Sequence, residues 1–291
     1  MSPQDISALL ERLSERDLAV LESLRIHRLL TTAHIRRLHF ARGHATLGAA
    51  SGATMRVLTR LEDHGLVARL MRRIGGVRAG STGITWQLGA TGERLLRRMH
   101  GETKRRRYVE PSGAFVKHTL LKAELAIQLH ELAETEAIEL LNLETEPDCW
   151  RSFVGPHGTR EWLKPDLSAI TATAEYESHW FVEADLSTEH PPEVVNKAKV
   201  YQRYAATGAY QDRHGVFPAV LWVVPDDRRK KALEAALSAD PAVQTDLFRI
   251  TTVDRFQEVV AVDTPDPPDH PVPMTQPVTT ERRNAYGTTA T

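Results

Sequence analysis

The stretch KPDLSAITATAEYESHWFVEADLSTEH, Lys164–His190, decides the fold. Within it and just before it, REWLKPDLSAIT and YESHWFVEADLS are rich in β-branched and aromatic residues, which predicts two antiparallel neighbouring strands. Side chains alternate along a strand. In HWFVEAD, Trp180, Val182 and Ala184 take one face, and Phe181, Glu183 and Asp185 the other. Glu183 and Asp185 are then about 7 Å apart, at roughly 3.3 Å of rise per residue. Asp166, on the preceding strand, approaches them. Carboxylates that converge at a sheet edge repel one another unless a cation or basic group intervenes. Mg²⁺ takes one or two carboxylates plus phosphate oxygens, and there it activates water and stabilises the charge that builds up during phosphodiester cleavage. Asp166 and Glu183 are the expected Mg²⁺ ligands.

Working outward, AFVKHTLLKAELAIQLHELAE predicts a long amphipathic helix before this pair, and AIELLNLETE a strand. PPEVVNKAKVYQRYAATG predicts a helix after it, opened by proline and closed by Gly208. FPAVLWVVP is a continuous apolar run expected to be a buried strand. DDRRKKALEAALSA predicts a helix, its charged start expected to be solvated, and LFRITTVDRFQEVV contains a last strand. The order α-β-β-β-α-β-α-β indicates a mixed α/β sheet. Trp150, Trp162, Trp180 and Trp222 are expected in its core.

Toward the N-terminus, Ser14 caps a helix expected to run to Leu30, with Asp17 suiting its dipole. TTAHIRRLHF predicts a second helix, capped by Thr31 or Thr32. ARGHATLGAASG reads as a turn, and ATMRVLTRLEDHGLV as a third helix closed by Gly65. Its Val57, Leu58 and Leu61 face inward, and Arg56 and Arg60 share the opposite face. LVARLMRRI and ITWQL form a hairpin around the glycine-rich tip GGVRAGSTG, and TGERLLRRMH starts another helix. The tip lacks the Lys-Ser/Thr ending of a phosphate-binding loop. His27, His34, His39 and His44 have no cysteine or HExxH pattern beside them and read as surface or partly buried residues.

The chain has 291 residues and a net charge of −1, which hides an asymmetry. Residues 1–107 hold 20 Lys/Arg against 9 Asp/Glu, a net of +11, and the remainder 17 against 29, a net of −12. An arginine-rich N-terminal part suggests a polyanionic partner; mutual neutralisation of the two halves is the alternative. The single cysteine, Cys149, allows no intrachain disulfide and argues against a cysteine-based zinc site. No apolar run reaches spanning length and the N-terminus lacks the build of a signal peptide, so a cytoplasmic protein without membrane contact is expected.

Three helices followed by a two-stranded hairpin is the order of a winged helix-turn-helix. The passage LTRLEDHGLVARL…TWQLGATGERLL resembles winged-helix regulators, in which the third helix enters the major groove and the wing lies along the backbone. The resemblance implies DNA contacts from Arg56, Arg60, Arg69, Arg72, Arg73 and Arg78. The C-terminal α/β part resembles the PD-(D/E)xK nuclease superfamily, with Pro165-Asp166 as the Pro-Asp pair and Glu183 as the acidic residue of the second half-motif. Asp185 stands where the lysine of that pattern belongs. In the superfamily the lysine can migrate to the next helix, where Lys197 is found. Pairing of Lys197 with Glu193, four residues away, is the competing reading. The resemblance makes Asp166, Glu183, Asp185 and Lys197 the candidate catalytic residues. His118 and Glu124, on the preceding helix, can border them.

Taken together, KPD, EADLSTE and KAKVYQRY, after the winged helix and a helix beginning near His118, resemble the replication-relaxation family of actinobacterial plasmids, integrative elements and phages. Glu183, Asp185, Thr188, Glu189, Lys197 and Tyr201 follow its pattern. The expected division is a winged helix-turn-helix at residues 1–100, a linker at 101–113, a PD-(D/E)xK-like α/β domain at 114–262 and a disordered tail at 263–291. Expected partners are double-stranded DNA, a second copy of the chain, and replication or relaxation proteins of the element. Three readings stand open on sequence alone. One is a DNA-binding protein with a Mg²⁺-dependent nuclease or nickase centre, acting in replication, relaxation or mobilisation. Another is a non-enzymatic winged-helix regulator or architectural protein whose C-terminal domain mediates dimer or partner contacts. The third is a protein–protein adaptor in which the wing never meets DNA.

Overall fold

The computed structural model of the protein describes residues 8–70, 83–103, 111–156 and 158–261. The expected wing tip, the centre of the expected linker and the tail after Ala261 lie outside the described residues.

Helix α1, Glu15–His27, starts where its sequence says it should. The Ser14 hydroxyl accepts the Asp17 N–H at 3.2 Å and the Asp17 carboxylate accepts the Ser14 N–H at 2.9 Å, a closed capping box. The helix ends three residues before the expected Leu30, at Arg28, which takes a left-handed φ of 65°. Strand β1, Leu30–Thr31, follows, and Thr31 caps α2, Thr32–His39. Helix α3 spans Leu47–Asp63. The expected turn is therefore shorter than ARGHATLGAASG: the Thr46 side chain caps the helix and pulls Leu47–Gly52 into it. Gly65, at φ 64°, closes α3 by sending its N–H to the Glu62 carbonyl, while the Leu66 N–H reaches the Leu61 carbonyl.

Strands β2, Val67–Arg69, and β3, Thr85–Leu88, pair antiparallel, and β1 adds to the free side of β3, giving the order β1-β3-β2. Helix α4, Ala90–Met99, packs so close to the turn after α3 that a Cβ on Gly92 would lie 2.1 Å from the Leu66 carbonyl oxygen. Val20, Leu24, Ile35, Leu58, Leu61, Trp86 and Leu95 form the core of this part.

Helix α5, Gly113–Glu134, joins the two halves. Ala123 and Ile127 complete the N-terminal core, whereas Leu125, Ala126 and Leu129 pack on the following sheet. That sheet has five strands in the order β10-β9-β8-β7-β4: β4 Glu139–Thr145, β7 Leu167–Ala172, β8 Glu177–Ala184, β9 Ala219–Val224 and β10 Phe248–Thr252. Strands β4, β7 and β8 are antiparallel neighbours, and β9 and β10 continue parallel to β8. Helices α6, Pro191–Ala205, and α8, Asp227–Ala239, cover the face of Phe181, Val220 and Trp222. Helix α5 and α9, Phe256–Ala261, cover the face of Trp180, Val182 and Leu221. Strand β9 is thus buried on both faces, as its continuous apolar run predicts. The short α7, Gln211–His214, lies between α6 and β9.

Two expectations are corrected here. REWLKPDLSAIT is not one strand. Its first part is β6, Arg160–Leu163, which pairs with β5, Arg151–Val154, as a separate hairpin, and only after Lys164-Pro165-Asp166 does the chain enter β7. Trp162, on that hairpin, is 48% exposed instead of core, while Trp180 and Trp222 are buried as expected. Among the described residues no helix is long and apolar enough to cross a membrane.

A candidate acidic centre and an arginine-bearing helix

Strand register brings the acidic residues together. Leu167 pairs with Val182, and the Asp166 N–H donates to the Val182 carbonyl at 3.1 Å, so Asp166 stands across from Glu183. Both are buried, at 6% and 1% exposure. The Asp166 Oδ2 accepts the Ala184 N–H at 2.9 Å and meets His118 Nε2, from the first turns of α5, at 3.2 Å. Lys122, one helical turn further, lies 3.7 Å from Asp166 Oδ1 and 2.5 Å from Glu146. From the other side α6 delivers Lys197, whose Nζ donates to Glu183 at 2.6 Å, and Tyr201, whose hydroxyl donates to the second Glu183 oxygen. The helix period places these two residues, four apart, on one face.

Lys197 therefore pairs with Glu183 and not with Glu193, whose carboxylate closes the start of α6 by accepting the His190 N–H. Asp185 lies just past the end of β8, where its N–H donates to the Val223 carbonyl. Its carboxylate receives Arg229 Nε at 3.1 Å and Nη2 at 2.6 Å, and the Ser187 N–H. The position that holds lysine in the nuclease pattern is thus an aspartate neutralised by an arginine from α8. Arg229 belongs to DDRRKK, expected to be solvated; its side chain is only 11% exposed. Glu124 does not border the centre: it pairs with Arg37 at 2.5 Å and with His34 at 3.3 Å.

Electrostatics follow from burial. Burial penalises the charge on Glu183, and although Lys197 counters it, the carboxyl is pushed up to about 7. Burial works against the charge of Asp166 too, but the hydrogen bond from His118 and the charges of His118, Lys197 and Lys122 together outweigh it and hold the carboxyl below the ordinary range. His118 is raised by that same bond. Burial disfavours the Lys197 ammonium, yet Glu183 and Asp166 hold it well above the usual lysine range.

These residues surround a cavity of about 30 Å³ lined by His118, Asp166, Glu183, Asp185, Glu189 and Lys197, among others. Each carboxylate already has its cation: Lys122 and His118 for Asp166, Lys197 for Glu183, Arg229 for Asp185. Among the described residues no group of three or more His, Cys, Asp or Glu can hold a metal ion. A divalent ion at Asp166 and Glu183 would have to displace these cations.

The candidate arginines divide into three groups. Arg56 is exposed on α3 and makes no ion pair among the described residues. Arg60 donates to Asp17 at 2.6 Å, tying α3 to the cap of α1, and Arg69 pairs with Glu62 at 2.9 Å and lies over the Trp86 ring. Arg60 and Arg69 keep 45% and 40% of their side chains exposed. Arg72, Arg73 and Arg78 lie outside the described residues. Arg37, which the sequence did not single out, grips Glu131 at 2.6 and 2.7 Å and Glu124 at 2.5 Å, joining α2 to α5.

The family model for replication-relaxation matches residues 21–220, from the middle of α1 to the start of β9. The chain belongs to the replication-relaxation family. That membership associates it with replication and relaxation of mobile elements and covers both the arginine-bearing part and the acidic centre. No curated protein and no solved structure matches the chain.

Proposed function

We propose that this replication-relaxation protein is a double-stranded DNA binder of a plasmid, integrative element or phage, and that its acidic centre is a charge-compensated relic of a nuclease-like fold. The observation that carries the first half is topological. Three helices, a short strand after the first, and a hairpin that pairs with that strand make the winged helix-turn-helix order, and α3 then stands where such proteins place their recognition helix. Arg56 and Arg60 are exposed on it. Arg56 reaches the duplex directly, and Arg60 and Arg69 offer their free N–H groups to phosphate while held in place by Asp17 and Glu62.

The second half rests on the ion pairs. The element order α5-β4-β7-β8-α6-β9 follows the αβββαβ nuclease core, but Arg229 and Lys122 supply the positive charge that a metal supplies in an active site. The test is an anisotropy titration of a labelled duplex with wild type and Arg56→Ala. Binding by wild type, weakened by the substitution, is expected; equal or absent binding refutes the assignment.

One observation favours a second reading. Lys197 sits 2.6 Å from Glu183, where a migrated nuclease lysine belongs. A Mg²⁺-dependent nickase would relax supercoiled plasmid with wild type and not with Asp166→Ala or Glu183→Ala. On the relic reading all three leave the plasmid intact.

A further inference from the structure

The β5–β6 hairpin stands apart from the central sheet, and its two faces differ in kind. The register Ser152↔Trp162 and Val154↔Arg160 puts these four residues on one side, and all four are exposed. Trp162 and Val154 are 48% and 68% exposed. Beyond the Arg151↔Leu163 pair come Trp150, half-buried with its indole nitrogen enclosed, and the exposed Lys164. Each tryptophan carries a cation: Arg160 lies 5.3 Å from the Trp162 ring and Lys164 4.7 Å from the Trp150 ring. Arg160 also donates to the Ser152 hydroxyl at 3.2 Å. The opposite side is anchored. Phe153 packs 5.4 Å from Tyr204, Leu163 is buried, and Glu161 accepts from Arg203 at 2.8 Å.

We propose that the outward face of this hairpin is a stacking platform for unpaired nucleic-acid bases. The face presents the exposed Trp162 indole, two cations and a hydroxyl, with the half-buried Trp150 at its end, and none of these residues is a carboxylate; the single acid of β6, Glu161, is turned to the other side and neutralised. Sequence-tolerant binding of single strands uses this combination of aromatic surface for bases and positive charge for the backbone. Arg160 keeps the Trp162 ring oriented and remains available to a phosphate. The platform is fixed to α6 by Phe153 and Glu161, and the same helix carries Lys197 and Tyr201 into the acidic centre. The chain also leads from Trp162 to Asp166 in four residues, at most about 13 Å when extended. A strand laid across the platform is thereby brought beside the acidic centre. This inference does not depend on duplex binding by α3.

The experiment is an anisotropy titration of the full chain with labelled oligo(dT) of about 20 nucleotides, longer than typical single-strand sites, beside a duplex of equal length. Trp162→Ala is expected to weaken oligo(dT) binding about tenfold or more, Trp162→Phe to retain most of it, and neither to change duplex affinity. The double variant Arg160→Ala/Lys164→Ala is expected to weaken oligo(dT) binding and flatten its salt dependence. Oligo(dT) affinity that is unmeasurable in wild type, or unchanged in Trp162→Ala, overturns the proposal whatever the duplex does. A wild type that self-associates through this face, with Trp162→Ala monomeric and no oligo(dT) affinity in either, assigns the face to a protein contact and overturns it as well.

Discussion

Glu183 is held on every side. It is buried to 1% exposure, faces Lys197 and Tyr201, and titrates near 7 in place of 4.5. A carboxyl whose folded pKa is raised binds its proton more tightly in the fold than in the unfolded chain, so its contribution to stability is full below about 4.5 and falls as pH rises through about 7. Glu183→Gln copies the protonated form. The stability of this variant relative to wild type is expected to rise between pH 5 and pH 8 by on the order of 3 kcal/mol, read from urea unfolding at both pH values. An unchanged difference contradicts the assignment. Asp185 makes the complementary case. Arg229→Ala leaves a carboxylate, 2% exposed in its side chain, without its guanidinium, and is expected to cost about 3 kcal/mol. Asp185→Asn/Arg229→Met is expected to recover most of that loss, because no buried charge then remains.

At this scale the sequence told half the story. Strand alternation located Glu183, and helix spacing placed Lys197 and Tyr201 together. The cations that neutralise Asp166 and Asp185, His118, Lys122 and Arg229, come from positions 44 or more residues away in the chain, and no local pattern links such distant partners. Trp162 misled for a related reason. An aromatic on a strand signals a core only when that strand belongs to a covered sheet, and the independent hairpin was not visible in REWLKPDLSAIT.

Among the elements, α5 does the joining. One of its sides completes the N-terminal core through Ala123 and Ile127 and another packs on the sheet, while Glu124 and Glu131 hold Arg37 of α2. The Glu131 and Glu124 bonds raise the Arg37 pKa further above its already high value, against the cost of burial, so the guanidinium stays charged. Arg37→Ala is expected to destabilise the protein by about 2 kcal/mol. A double-mutant cycle with Glu131→Ala is expected to show coupling of about 1 kcal/mol or more; additive losses would show that the pair does no joining. The capping boxes of α1 and α2 and the αL glycine after α3 were legible in single residues, since Ser14, Thr31 and Gly65 act within three positions of their partners. The start of α3 was not, because Gly48 and Gly52 argue locally against helix while the Thr46 cap and the packing of Leu58 and Leu61 impose it.

For the whole molecule, the charge asymmetry of +11 against −12 resolves only in part into internal pairing. Arg37 does point into the acidic half, as the neutralisation alternative required, and Arg60 and Arg69 pair within their own half. Arg56 stays outward. Duplex contact is proposed on α3 and single-strand contact on the β5–β6 hairpin, which the acidic residues Asp166, Glu183 and Asp185 follow in the chain. The most direct test of duplex recognition is the salt dependence of duplex affinity for wild type and Arg56→Ala, measured by anisotropy from about 50 to 200 mM salt. Affinity that falls steeply with salt in wild type, with a log–log slope shallower by about one in the variant, is predicted. A wild-type protein that leaves the duplex unbound at the lowest salt, or two identical slopes, would contradict it.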